Sequence, residues 1–118
     1  MFKEAIRDVV QGTDGAIAGV LMDLEGIPLD SYATDEAFDI QAVGAEYSVI
    51  LKAIQRATES LEAGGAREIA IQSEKATTII RILNDDYFFA LALLPDGNFG
   101  KGRFMMRTAA PKLLEQLQ

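Results

Sequence analysis

Residues 38–61, FDIQAVGAEYSVILKAIQRATESL, form the longest periodic segment of the chain and the only one that is apolar on two sides. At about 100° of rotation per residue, the larger side chains fall on one broad face, which we expect to pack on the core. That face consists of Ile40, Val43, Gly44, Tyr47, Ile50, Leu51, Ile54, Ala57, Thr58 and Leu61. The segment therefore predicts a long helix on which the rest of the fold depends.

The opposite side of this helix is unusual, because a surface helix normally carries charged residues there. It instead presents small residues with charged neighbours. The small residues are Ala42, Ala45, Val49 and Ala53, and the neighbours are Glu46, Lys52, Arg56 and Glu59. Alanine on a wet face is explained by its high helix propensity, whereas the β-branched Val49 has no such explanation. We interpret the stripe as a surface for another protein, with an ordinary solvent-exposed face as the alternative.

Length and composition limit the classes of function. The 118 residues suffice for one core and not for two, so we expect a single domain over residues 1–118. The net charge of −7 opposes binding to nucleic acid and to anionic lipid. No run reaches the ~18 apolar residues of a membrane span, and the N-terminus lacks the pattern of a secretory signal. We expect a cytoplasmic protein that binds no nucleic acid and does not insert into membranes.

The residue types also limit the chemistry. The chain has no cysteine and no histidine, which excludes thiolate or imidazole metal sites and nucleophiles activated by histidine. The acidic connector Thr34–Asp39 is interpreted as helix capping, because its spacing is not that of a calcium loop. The glycine-dense segment 95–103 lacks the sequence of a phosphate-binding loop. We therefore expect no catalytic residue, no cofactor and no metal.

A small enzyme or a ligand sensor remains as an alternative of a different class. Its polar groups would come from Tyr47, Tyr32, Asp23 and Asp30, although nothing in the sequence brings these four residues together.

The order of elements predicts the fold class. We expect helices over 2–11, 38–61 and from Phe104 to the end, and strands over 16–22, 27–33, 67–72, 77–83 and 87–94. Short turns join neighbouring strands, so the sheet is antiparallel, and strands that are apolar on both sides require helices on both faces. The prediction is an α+β protein with a five-stranded antiparallel sheet.

The third strand is expected to lie at an edge of this sheet. Its residues are Glu68, Ile69, Ala70, Ile71 and Gln72, which alternate between polar and apolar as in a half-exposed strand. An exposed edge is prone to association, and this strand has neither proline nor lysine to prevent it. We therefore expect it to pair with the same strand of a second copy.

Three motifs carry a resemblance to a known family. They are Asp14-Gly15-Ala16 before the first strand, Asp23-Leu24-Glu25-Gly26-Ile27-Pro28 at the hairpin, and Asn98-Phe99-Gly100-Lys101-Gly102-Arg103 before the last helix. With the order of elements, they make the chain similar to the roadblock family, the dynein light chain roadblock type that includes the bacterial MglB regulators of Ras-like GTPases. The resemblance implies a long helix on one face of the sheet, terminal helices on the other, and a homodimer formed through the long helix and the third strand.

The resemblance also implies a function. We expect a homodimeric regulator that binds a small Ras-like GTPase and modulates its GTP hydrolysis or nucleotide state without supplying catalytic residues. The interface positions would be Ala42, Ala45, Glu46, Val49, Ala53 and Arg56. The alternative is a homodimeric scaffold or adaptor, of the dynein light chain or membrane-recruitment kind, that has no effect on nucleotide.

Overall fold

The computed structural model describes residues 2–117, and within them the chain forms three helices and five strands. The elements are α1 (Phe2–Gln11), β1 (Ala16–Asp23), β2 (Pro28–Ala33), α2 (Ile40–Ser60), β3 (Glu68–Gln72), β4 (Thr77–Ile82), β5 (Tyr87–Leu93) and α3 (Phe99–Leu117). The strands form one antiparallel sheet in the order β2-β1-β5-β4-β3. The predicted α+β architecture is confirmed.

Two apolar clusters lie on the two faces of the sheet. One joins α1 and α3 to the sheet and includes Ile6, Val9, Leu21, Ile79, Phe89, Leu91, Met106 and Leu113. The other joins α2 to the opposite face and includes Ala18, Val20, Met22, Ile40, Leu51, Ile80 and Phe88. The long helix therefore covers one face and the two terminal helices cover the other, as the resemblance implies.

Two of the three interior strands, β1 and β5, are those that the sequence shows as apolar on both sides. β1 pairs with both β2 and β5, and β5 also pairs with β4. Phe88 and Phe89 are consecutive in β5 and fully buried, one in each cluster. β2 and β3 are left as the two edges, and Pro28 stands at the first position of β2, where a missing N–H is tolerated.

α2 lies close to β1 and to the β1–β2 hairpin. Asp39 begins the helix by accepting a hydrogen bond from the Ala42 N–H at 3.0 Å. A Cβ at Gly44 would lie 2.9 Å from Sδ of Met22, so glycine allows the helix to approach β1. Gly26 of the hairpin, with φ of 87°, also allows a close approach, because a Cβ there would lie 3.6 Å from Cα of Ala45 in α2. As a result, α2 covers the β2–β1 half of the sheet.

This off-centre position corrects the prediction that the whole apolar face of α2 packs on the core. Ile50 is 50% exposed and Leu61 is 78% exposed, whereas Leu51 is buried. Helical periodicity gives the direction of a side chain but not the extent of the sheet beneath it. The flank of α2 that carries Ile50 and Leu61 has little of its own chain to contact.

The start of α3 is also corrected. We expected the helix to begin at Phe104, but it begins at Phe99. Asn98 is the reason, because its Oδ1 accepts a hydrogen bond from the Lys101 N–H at 3.0 Å and so caps the first turn. Gly102 is buried against Ile79, and the helix continues through Pro111 to its end. Lys101 and Arg103 are therefore helical residues.

Candidate protein-interaction surfaces

Six residues on the solvent side of α2 form the first candidate surface, here called the outer α2 surface. They are the predicted interface residues Ala42, Ala45, Glu46, Val49, Ala53 and Arg56, and all six are exposed. Val49, at the middle, is 71% exposed. Glu25 in the hairpin forms a 2.9 Å ion pair with Lys52 and so marks one border of this surface. Arg56 has no ion pair with any residue in 2–117.

A second surface lies on the flank of α2 that faces away from the hairpin. Val43 and Tyr47 lie on this flank and are partly buried against the α2-side core. Ile50 and Leu61 lie further along the same side of the helix and are more exposed. The isoleucines of β3, Ile69 and Ile71, pack partly against the same core. We call Tyr47, Ile50, Ile54, Leu61, Ile69 and Ile71 the α2–β3 face. Helical periodicity alone predicts that Tyr47, Ile50, Ile54 and Leu61 pack on the core, so it does not reveal that these residues form a surface.

The free edge of β3 borders this face. The Arg67 carbonyl accepts from Ile82 and the Ser73 N–H donates to Ala76, so the main chain of odd-numbered residues points inward. Glu68, Ala70 and Gln72 therefore direct their main-chain groups outward, where no hydrogen bond fills them within the described chain.

The side chain of Glu68 is held on the other face of the sheet. Its carboxylate lies 2.7 Å from Nε of Arg103 and 3.8 Å from Nη1 of Arg81. The edge strand is therefore fixed to α3 by an ion-pair network that leaves its main chain free.

The other edge of the sheet is blocked at its centre. In β2, the Thr34 N–H donates to the Ile17 carbonyl, so the alternation leaves Ser31, at the centre of the strand, and Ala33 with their main-chain groups pointing outward. The Ser31 N–H donates to Oδ1 of Asp30 at 2.9 Å, and Nζ of Lys3 donates to the Ser31 carbonyl at 2.8 Å. Within residues 2–117, β3 therefore offers an uninterrupted row of unfilled groups to another strand, whereas the row on β2 is interrupted at Ser31.

The residues of the enzyme or sensor alternative are not brought together. Oδ1 of Asp23 accepts hydrogen bonds from Glu25 and Ile27 within its own turn. Tyr32 packs on the α1 side of the sheet, whereas Tyr47 packs on the α2 side. Within residues 2–117, no group of three acidic, cysteine or histidine residues is placed to hold a metal ion, and no helix is long and apolar enough to cross a membrane.

Comparison with known proteins identifies the family. No family model and no curated protein matches the chain. The structure of MglC from Myxococcus xanthus matches with 37% identity over 96% of each chain and a TM-score of 0.69. A Roadblock/LC7 domain from Streptomyces avermitilis has 12% identity over 98% of this chain and 96% of its own, with a TM-score of 0.87. The gliding protein MglB from Thermus thermophilus has 17% identity over 95% of this chain and 84% of its own, with a TM-score of 0.83. The last two show a shared fold, and the identity with MglC shows that the chain belongs to the roadblock family.

Proposed function

We propose that the protein is a homodimeric bacterial regulator that binds a small Ras-like GTPase in the cytoplasm and changes its GTP hydrolysis or nucleotide state without supplying a catalytic residue. One observation carries the proposal: α2 exposes apolar side chains on two sides, Val49 on one and Ile50 and Leu61 on the other, and the edge strand β3 has unfilled main-chain groups. A monomer with one partner would need only one such surface.

The open β3 edge supports a symmetric dimer with a defined register. If Ala70 pairs with Ala70 of a second copy, Glu68 lies opposite Gln72, and all three outward-facing residues of each strand exchange hydrogen bonds. Shifting the register by two residues leaves part of these groups unpaired. The favoured assembly is therefore a continuous sheet with its two-fold axis at Ala70.

The α2–β3 face supports the same dimer. In this register Ile69 of one copy lies opposite Ile71 of the other, so four isoleucine side chains meet on the α2 side of the junction. The exposed Ile50 and the partly buried Ile54 of each α2 helix then lie against an apolar surface of the partner copy. Dimer formation removes from water the side chains that the single chain leaves half exposed.

The outer α2 surface remains for the GTPase. Its alanines allow close approach of another backbone, and Val49 provides an apolar contact at the centre. GTP hydrolysis depends on where a GTPase holds its water-positioning and charge-stabilising residues. A partner that binds one arrangement of these segments more tightly than another shifts their population and hence the rate.

A scaffold that leaves the nucleotide unaffected is the second candidate. It is favoured by the composition of the outer α2 surface, where five of the six residues cannot donate to a phosphate and only Arg56 is cationic.

The test is to mix the purified protein with a Ras-like GTPase of the same organism and to measure complex formation and GTP turnover. A change in turnover that is lost with Val49→Arg supports the regulator. Binding with unchanged turnover supports the scaffold instead. Absence of binding at micromolar concentrations would contradict both.

A further inference from the structure

The exposed face of α3 differs in charge from the rest of the protein. α3 contains four of the 11 basic residues of the chain and one of its 18 acidic residues. Lys101, Phe104 and Arg107 follow one another at intervals of three residues, so their side chains lie on one side of the helix. All three are exposed, and Phe104 is 51% exposed despite its size. We call these three residues the basic α3 face.

Two of these residues carry charges that no carboxylate of the described chain balances. Lys101 lies in the first turn of α3, where the helix dipole disfavours a positive charge. Neither Lys101 nor Arg107 has a carboxylate within 4.0 Å among the described residues, whereas Arg103 is paired with Glu68. Nζ of Lys101 instead lies 5.9 Å from the centre of the Phe104 ring. A positive charge that the helix dipole disfavours and that no carboxylate balances is the kind of local conflict expected at a functional residue.

The positive charge is concentrated at the N-terminal half of α3. Lys112, nearer the C-terminus, shares a groove with Glu4 and Asp8 of α1, which reduce its field. Asp96, in the turn before α3, and Glu115, near its end, are the acidic residues that flank the basic α3 face in sequence. Lys101 and Arg107 remain as an exposed cationic pair on both sides of an exposed aromatic ring.

We propose that the basic α3 face binds an acidic segment of a partner protein, with an apolar side chain of that segment against Phe104. Charge complementarity selects this occupant, because the remainder of the chain is strongly acidic and repels such a segment elsewhere. The same acidity opposes an anionic membrane, which would face the whole protein rather than one helix. α3 packs on the sheet face opposite α2, so the basic α3 face stays accessible when both α2 surfaces are covered.

The test measures fluorescence anisotropy of a fluorescein-labelled synthetic peptide of glutamates and aspartates with one central leucine. The wild-type protein is expected to bind it saturably, and binding should weaken with added salt. The double variant Lys101→Glu/Arg107→Glu should weaken binding about tenfold or more, which corresponds to at least ~1.4 kcal/mol. Phe104→Ser should weaken it by a smaller factor. A glutamate at position 101 agrees with the helix dipole, so the fold is retained, which circular dichroism verifies.

The matched control is Arg7→Glu/Lys75→Glu, which makes the same change in net charge at exposed positions outside α3. Equal loss in the control and in the α3 variant would overturn the proposal, as would a wild-type protein that does not bind the peptide. Sedimentation with phosphatidylserine-containing vesicles that is lost in Lys101→Glu/Arg107→Glu would assign the face to a membrane and also overturn it. Absence of sedimentation supports the acidic segment.

Discussion

Lys3 and Asp30 form a 3.4 Å ion pair between α1 and β2, and together they occupy both outward main-chain groups of Ser31. This pair is on the surface, with Lys3 60% exposed, so its direct contribution to stability is small. Its effect is instead on association, because an incoming strand finds the main-chain groups at the centre of β2 already bonded.

Removal of this pair is predicted to open the second edge. The variant Lys3→Ala/Asp30→Ala should lose at most about 1 kcal/mol of unfolding free energy but form species larger than the wild type as concentration rises. Light scattering after size-exclusion chromatography measures this. Arg7→Ala/Asp8→Ala, which removes another α1 ion pair away from the edge, is the control. Identical masses for wild type and Lys3→Ala/Asp30→Ala would show that the edge is blocked in some other way.

The proposed dimer register predicts a covalent link. Ile69 and Ile71 of opposite copies form a non-hydrogen-bonded pair with Cα atoms about 4.5 Å apart, which suits a disulfide. Because the chain has no cysteine of its own, Ile69→Cys/Ile71→Cys should give a dimer on a non-reducing gel after mild oxidation. Each single variant places its two thiols on diagonal positions and should cross-link far less. Efficient cross-linking by one single variant would move the two-fold axis to that residue.

Single substitutions in α2 are predicted to separate GTPase binding from dimer formation. Val49 and Ile50 are adjacent, but their side chains point about 100° apart. Val49→Arg should leave the fold and the dimer intact and abolish GTPase binding, whereas Ile50→Arg should yield a folded monomer. Mass in solution and a pull-down with the GTPase distinguish the two. If the Val49→Arg protein binds the GTPase normally, the outer α2 surface is an ordinary solvent-exposed surface and not a binding site.

Gly15, in the turn before β1, and Gly100, in the first turn of α3, are predicted to respond in opposite ways to substitution by alanine. Gly15 has φ of 85°, and a Cβ there would overlap Cα of Gly97, so Gly15→Ala should destabilise the protein by roughly 3 kcal/mol. At Gly100 no atom lies nearer than 3.9 Å to the added Cβ, and Gly100→Ala should stabilise α3 by up to about 1 kcal/mol. Urea unfolding measures both. Similar effects of the two substitutions would contradict the close contact between Gly15 and Gly97.

Much of the fold follows from local patterns in the sequence. The apolar runs of β1 and β5 predicted interior strands, and Pro28 predicted an edge, because each depends on one strand alone. The outward direction of Val49 was also predictable, since it needs only the period of a helix. The interface roles of the outer α2 surface and of the β3 edge stay predictions.

Features that depend on distant residues were not predictable in the same way. Ile50 was assigned to the core because the sequence does not reveal that α2 sits over β1 and β2. Lys3 reaches a carbonyl 28 residues away, and only the folded chain brings them together. The start of α3 was missed for a local reason, because Gly100 and Gly102 suggested a loop while Asn98 supplied the cap.

Glu68 connects the open edge of the sheet to α3. Its backbone lies at the open edge, and its carboxylate holds Arg103 of the helix that carries the basic α3 face. If strand addition shifts Glu68 and, through Arg103, the basic α3 face, thermodynamic reciprocity requires that a ligand on that face change dimer affinity by the same factor. Titrations of the acidic peptide at several protein concentrations would therefore report the sign and size of an energetic coupling between self-assembly and recruitment.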